Sequence, residues 1–396
     1  VVAAGALVAL GACGGDSTTA VDRAAPVLRL APVLPAAADP VELAVTLPTE
    51  PATTTTAPPA PRRLTLAFSG DTLIHSTLVR RAQANAGGHG YDFRPMFARI
   101  APLVSGVDLA VCHIETPVAP PGEALSTYPR FGVPAELALG VASAGYDRCS
   151  TASNHAIDRG VAGVDATVTA LELAGVGQSG MARTPDEAVP AVFEVNGVRV
   201  VHLSYTFSFN GLRLPADQLW RSPLIDPLRI VGDAIDARNR GAEVVIASLH
   251  WGTEGSPVVS PWQRQLAELI TSSGAVDLIV GSHAHVLQPI EQVNGRWVVY
   301  GLGNLVSNMH AGPSWTAASE DGAVVTVVVA EQPDGTFAVE QPVVHPTWVD
   351  RAGGYVIRPV LTDLADPATP PGVHRALTTS LERTAALLGP YLAAVG

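Results

Sequence analysis

At 396 residues and 47% hydrophobic content, the chain carries enough apolar material for one large domain with appendages, or for two domains. Its net charge of −12 argues against any general electrostatic grip on nucleic acid or acidic lipid. Charged residues make up only 15% of the chain, and its 24 fixed cations are all arginine, a bias we assign to the coding genome.

Residues 1–12 are uncharged, apolar and rich in small side chains. Such a stretch is too short to span a bilayer but long enough for the apolar region of a signal peptide. It runs into Leu10-Gly-Ala-Cys13, which resembles a bacterial lipobox and would make Cys13 the lipidated first residue of the mature chain. A plain secretory signal with an incidental cysteine is the alternative. No basic segment precedes the apolar run, so the numbered start is expected to lie inside the signal or just at its beginning. Residues 14–62 are dominated by Ala, Pro, Thr, Asp and Val, with Thr53-Thr-Thr-Thr56 and Pro58-Pro-Ala-Pro61. No helical or alternating period persists there, so this segment reads as a disordered tether.

From Arg63 the pattern changes. Residues 64–68 read as a strand, 75–86 and 94–103 as helices, and 107–112 as a second strand. Residues 134–144 read as a helix with Pro in its first turn. A third strand is expected over 146–151 and a helix over 161–174, stopped by Gly175. Residues 191–195 and 198–203 flank Asn196-Gly197, a hairpin signal. After a loop-rich section come a helix over 228–240, a strand over 243–249, a helix over 261–273 and a strand over 276–280. Hairpins are expected around Asn294-Gly295 and around Pro333-Asp-Gly335, the second pairing 323–331 with 336–344. A helix over 373–394 closes the chain. Alternating βα units giving way to hairpins imply an α/β core with antiparallel additions. Cys112 and Cys149 fall on predicted strands; they bridge if those strands are neighbours and are otherwise two buried thiols.

Polar clusters recur just past the strands. Asp71 follows the first, Glu115 the second and Asn154 the third; His250, and then His283 with His285, follow the later ones. Carboxylate, amide oxygen and imidazole are the ligands that divalent metals take, and the carboxyl ends of strands are where open α/β sheets bind ligands. Two metals held about 3.5–4 Å apart activate a water and stabilise the attacked group. Each residue alone has a blander reading: Asp71 in a turn, Glu115 a solvated loop acid, Asn154 with His155 a helix cap, His250 packed beside Trp251. Their common placement is what points to a two-metal hydrolytic site. His89, His113, His202, His310, His345 and His374 lack that context and are left out as ligands.

At these residues the chain resembles the CapA, or poly-γ-glutamate capsule biosynthesis, family of the calcineurin-like metallophosphoesterase superfamily. The matching segments are Phe68-Ser-Gly-Asp71, His113-Ile-Glu-Thr-Pro117, Ala152-Ser-Asn-His-Ala-Ile-Asp-Arg-Gly160, His250-Trp-Gly-Thr-Glu254, Gly281-Ser-His-Ala-His-Val-Leu-Gln288 and Tyr300-Gly-Leu-Gly-Asn304. The resemblance implies a metallophosphatase-like four-layer α/β/β/α sandwich over 63–349, with antiparallel hairpin additions and a C-terminal extension over 350–396. It implies two divalent ions, Mn, Fe or Zn: Asp71 and His285 serving one, Asn154, His250 and His283 the other, Glu115 bridging. His155 and Glu254 would be catalytic. Asp158 would orient His155 or start the next helix, the second being favoured here, and Asn304 would hold the loop floor. Where the superfamily has a histidine two residues after the first aspartate this chain has Leu73; His75 is the candidate substitute.

The function implied is that of an exported, outward-facing membrane lipoprotein in capsule, poly-γ-glutamate or related envelope-polymer biosynthesis, acting as a metal-dependent hydrolase. Its partners would be an anionic envelope polymer or its synthase, and the membrane through the lipid anchor, with no nucleic acid. A non-catalytic accessory that binds polymer or synthase is the alternative, and a broad secreted phosphodiesterase a further one.

Overall fold

Nine of the fifteen strands in the computed structural model, which describes residues 60–394, form one sheet, and the other six form a second that faces it. Cys13, the signal-like segment and the tether up to residue 59 lie outside the described residues, and the disordered tether expected to reach residue 62 ends before Arg62, which bonds Glu331 and Glu243. The first part of the chain supplies β1 (Arg63–Thr72), α1 (Ser76–Asn85), the short helices α2 (Arg94–Phe97) and α3 (Ala101–Val104), β2 (Leu109–Ile114), α4 (Leu137–Ser143), β3 (Arg148–Ser150), α5 (Gly160–Leu173) and β4 (Gly177–Ser179). Next come β5 (Val192–Val195), β6 (Val198–Thr206), α6 (Pro227–Asn239), β7 (Val244–His250), α7 (Pro261–Ser272), β8 (Leu278–Ser282), β9 (Ile290–Val293) and β10 (Arg296–Val299). The last part adds β11 (Asn304–Val306), β12 (Asp321–Glu331), β13 (Phe337–Val339), β14 (Val343–Asp350), β15 (Val356–Pro359), α8 (Val360–Ala365) and α9 (Pro371–Leu388).

The first sheet runs β15-β14-β12-β1-β2-β3-β4, with β11 on β1 and β13 on β12; the second runs β5-β6-β7-β8-β10-β9. β1 to β4 are parallel, as are β6, β7, β8 and β10, while the hairpin partners are antiparallel. Side-chain alternation sorts the layers. Leu64, Leu66 and Phe68 of β1 meet Val200, Val244, Ile246 and Leu278 between the sheets. Ala67, Ala110 and Cys112 face the other way, onto α1, α2 and α4 through Leu78, Met96 and Val141. Val245, Ala247 and Leu249 pack outward on Ile230 of α6 and Leu266 of α7. The result is the expected four-layer α/β/β/α sandwich of metallophosphatase type. Both Asn-Gly turns form, with Asn196, Gly197, Asn294 and Gly295 all at positive φ.

Three elements differ from expectation. The helix over 94–103 is two short helices, each with a proline in its first turn, because Pro102 cannot donate to the preceding turn. The strand expected over 336–344 splits into β13 and β14, which pair successive stretches of β12, with Pro342 at the break. The last helix stops at Leu388, before Gly389-Pro390. Cys112 and Cys149 stand opposite each other in the β2–β3 register and are disulfide-bonded, with their Cα atoms 4.4 Å apart.

Candidate metal centre

The parallel strands of both sheets deliver their polar ends to one place. Asp71 lies at the end of β1, His113 and Glu115 at the end of β2, His250 at the end of β7, and Asn154, His283 and His285 on the turns after β3 and β8. All are buried. Two close approaches allow this. A Cβ on Gly70 would sit 2.2 Å from the Gly303 carbonyl oxygen, and one on Gly281 would sit 2.0 Å from the Tyr300 carbonyl oxygen. The turn after β8 is strained: His283 at φ 93° and His285 at φ 57° both hold the left-handed conformation that side chains with a Cβ disfavour. That conformation returns both imidazoles to the cluster.

His285 Nδ1 lies 3.0 Å from Asp71 Oδ2 and 3.1 Å from Asn304 Oδ1, which turns its Nε2 toward Glu115 Oε1 at 3.6 Å. Asn304 is fixed in turn, donating to the carbonyl oxygens of His285 and Ser319. The His283 backbone N–H donates to both Asp71 oxygens at 3.2 Å. His250 Nε2 is 3.0 Å from Asn154 Oδ1, and Asn154 donates to Asn210 Oδ1. Proximity groups Asp71 with His113 and His250, and Glu115 with His283 and His285. That division cuts across the pairing the resemblance implies.

His113 is the residue that sequence reasoning missed. Its Nδ1 meets Ser150 Oγ at 2.8 Å, and its Nε2 lies 3.0 Å from His250 Nδ1 and 4.0 Å from Asp71 Oδ1. The signal was parity: His113 and Glu115 are two residues apart at the end of a strand. His75, the candidate substitute for the absent histidine, does not join either group. Its Nδ1 accepts the Asn308 N–H at 3.3 Å, at the start of α1. The third imidazole near Asp71 is His113 instead.

His155 Nδ1 is 2.7 Å from Asp158 Oδ2, an oxygen that also accepts the Phe131 backbone N–H at 2.7 Å. The favoured expectation that Asp158 starts α5 is therefore corrected: the helix begins two residues later and Asp158 orients His155. Glu254 is exposed at the rim, where its charge acts on Glu115 and His285. Aromatic rings that no sequence signal singled out wall the mouth: Phe207 stands 4.5 Å from the His283 ring, Phe131 4.7 Å from His155 and Trp315 5.8 Å from His285.

Burial holds His113 near about 4, His283 near about 3 and His250 well below its usual value, so these imidazoles are neutral at pH 7, the form that ligates metal. Burial pushes Asp71 upward, but the hydrogen bond and charge of His285 outweigh it and hold the carboxyl below its ordinary range. Burial also opposes protonation of His285, yet Glu115 and Asp71 lift it to about 10. Glu115 goes the other way: burial drives it well above the carboxylate range, and the charge of Asp71 adds to the push.

Both oxygens of Glu115 and Nδ1 of His283 are buried with no hydrogen-bond partner. A fully buried carboxylate without donors is costly unless a cation satisfies it. Hard and borderline donors converging on Glu115 fit divalent metal.

Two mixed sheets face to face, with imidazoles and carboxylates converging at the carboxyl ends of their parallel strands, define an α/β/β/α protein with a candidate metal centre. The bacterial capsule synthesis protein PGA_cap family model matches residues 65–309, and the chain belongs to that family. It is 28% identical to capsule biosynthesis protein CapA of Bacillus anthracis over 66% of this chain and 63% of the relative. It is 32% identical to PGA biosynthesis protein CapA of Bacillus subtilis over 50% of each. The chain thus spans between half and two thirds of the length of these relatives. Among solved structures it is similar to the calcineurin-like phosphoesterase YfkN of Bacillus subtilis, 14% identical over 82% of this chain and 97% of that one, with a TM-score of 0.40.

Proposed function

We propose that the chain is an exported, lipid-anchored hydrolase of capsule or poly-γ-glutamate assembly that cleaves an anionic envelope polymer with two divalent ions. The observation that carries this reading is Glu115, whose two oxygens are buried without a hydrogen-bond partner in a cluster where His113, His250 and His283 are neutral. Asp71, His113, Glu115, Asn154, His250, His283 and His285 would hold the ions, which when bound would supply a polarised acceptor and a water acidic enough to attack at neutral pH. The chain's own residues do the rest. Asp158 fixes the His155 ring through Nδ1, leaving Nε2 for a proton at the leaving group. Asn304 fixes the ring of His285. Phe207 and Trp315 shield the imidazoles from water. Membership of a capsule synthesis family supports the polymer as substrate, and Leu10-Gly-Ala-Cys13 supports the anchor.

The test is metal content of the purified full chain by mass spectrometry, beside a Glu115→Ala/His283→Ala variant, followed by chain length of poly-γ-glutamate incubated with each. Two ions per chain in the wild type, lost in the variant, together with shortening of the polymer by the wild type alone, is the expected result. A folded wild type that takes up no metal from Mn²⁺, Fe²⁺ or Zn²⁺ would leave the non-catalytic accessory role in its place.

A further inference from the structure

A second polar cleft opens at the edge of the sandwich, between β4 of one sheet, β6 of the other and the segment 187–191. Its volume is about 80 Å³, and Arg148, Ser179, His202, Ser204, Trp220 and Arg229 are among its walls. Arg148 dominates it. Its guanidinium stacks 4.2 Å over the Phe193 ring and gives Nη2 to the Gln178 carbonyl oxygen and Ser179 Oγ. Its Nε is buried without a partner, and no carboxylate pairs with it among the described residues. Burial lowers Arg148 to about 10. The acids at the cleft are committed elsewhere: Glu187 to Arg183, and Asp233 to the Tyr205 hydroxyl and Arg229. His202, fully buried on the same wall, leaves Nδ1 unpartnered while its Nε2 meets Ser248 Oγ at 2.9 Å. Room is kept for the guanidinium by Gly177, where a Cβ would lie 2.7 Å from Nη1.

Arg148 as a whole is half-buried, with its Nε fully enclosed, and taking a guanidinium even partly out of water without an acidic partner costs free energy. Here it is half-satisfied by a carbonyl, a hydroxyl and a π-face, with donor capacity left over beside an open cavity. We propose that this cleft is a metal-independent binding site for a small carboxylate, or for the carboxylate end of a longer molecule, anchored by Arg148. The flat guanidinium matches a planar carboxylate, and the cavity holds an acyl end group rather than a sugar or nucleotide. The site is separate from the metal centre and does not depend on its occupancy.

The test is isothermal titration of the full chain, stripped of metal by chelation, with sodium acetate and separately with inorganic phosphate. One saturable acetate site is expected, weakened about tenfold or more by Arg148→Gln and unchanged by His283→Ala. Because Arg148→Gln removes a buried contact, Ala188→Trp serves as a second variant: it fills the mouth of the cleft from a loop and should abolish acetate binding with Arg148 intact. Equal acetate affinity in wild type and both cleft variants would overturn the proposal, as would loss of binding in His283→Ala or no saturable binding at all. Phosphate binding at Arg148 without acetate binding would overturn the carboxylate assignment.

Discussion

The two ends of the sandwich use acidic side chains for opposite purposes. At the amino ends of the parallel strands, an acid stands immediately before β2, β3, β7 and β8, and each accepts a backbone N–H from the neighbouring strand. Asp108 takes Thr65 N–H at 2.7 Å, Asp147 takes Ala110 N–H at 2.7 Å, Glu243 takes Arg199 N–H at 2.9 Å and Asp277 takes Val245 N–H at 2.8 Å. Arginines complete the set: Arg62 bridges Glu243 and Glu331, while Arg238 and Arg296 flank Asp277. At the carboxyl ends, Asp71 has a backbone N–H and an imidazole, and Glu115 accepts no hydrogen bond, its nearest imidazole nitrogen standing 3.6 Å away. A carboxylate with its donors in place closes a sheet; one denied them is a ligand awaiting a cation.

Exchanging Glu115 for a neutral isostere is the sharpest way to break this contrast. With Mn²⁺ at a hundredfold excess over its dissociation constant, the wild type should gain about 3 kcal/mol of stability. Glu115→Gln should lose most of that gain while remaining folded, read as the melting shift with and without the ion. An undiminished shift would remove Glu115 from the metal site. The disulfide is of comparable size. It closes a loop of sequence separation 37, so reducing it should cost about 3–4 kcal/mol on chain-entropy grounds, measured by denaturant unfolding. Metal content should survive, since the β2–β3 ladder also holds those strands together. At the amino end, Asp277→Ala strands Arg238, Arg296 and the Val245 N–H, for a loss of about 3 kcal/mol with metal stoichiometry intact. Loss of metal in that variant would mean the two ends are not independent.

Most of the layered fold was legible because period-2 and period-3.6 patterns and the two Asn-Gly turns are local signals. β4, β11 and β15 are three or four residues long and are set by the strand each pairs with, β3, β1 and β14, which no local pattern encodes. The cluster at the strand ends was legible because residues of one chemistry kept appearing after apolar runs. His113 was missed because it belongs to the strand itself, and only its alternation with Cys112 turns it inward to the cluster. Asp158 was misassigned because an acid just before a helix reads as a cap, whereas a nearby imidazole made the better partner. Phe131, Phe207 and Trp315 come from loops whose course depends on the whole fold.

Asp108 and Glu243 on one side and Glu115 on the other should respond oppositely to pH in the metal-free protein, while Asp277, raised by burial, and Asp71, held down by His285, stand outside that contrast. Asp108 is held below its ordinary value first by the Thr65 N–H, and Glu243 is held below it because the Arg199 N–H and Arg62 outweigh its burial. A group depressed on folding contributes stability above its unfolded pKa, about 4, and that contribution is lost as pH falls through the lower folded value. Asp108→Asn/Glu243→Gln should therefore be less stable than the wild type at pH 7, by about 1–2 kcal/mol after allowing for the exposure of Asp108, with the difference shrinking below pH 4. Glu115 is raised on folding, so its ionisation favours the unfolded chain. Stability relative to Glu115→Gln should fall as pH rises from about 4 toward neutrality. Measuring unfolding free energy against pH for the three chelated proteins isolates each effect as a difference curve, with the titrating histidines common to all. Difference curves of the same sign at the two ends would mean that Glu115 is satisfied in the metal-free protein, and would remove the main physical reason for placing a cation beside it.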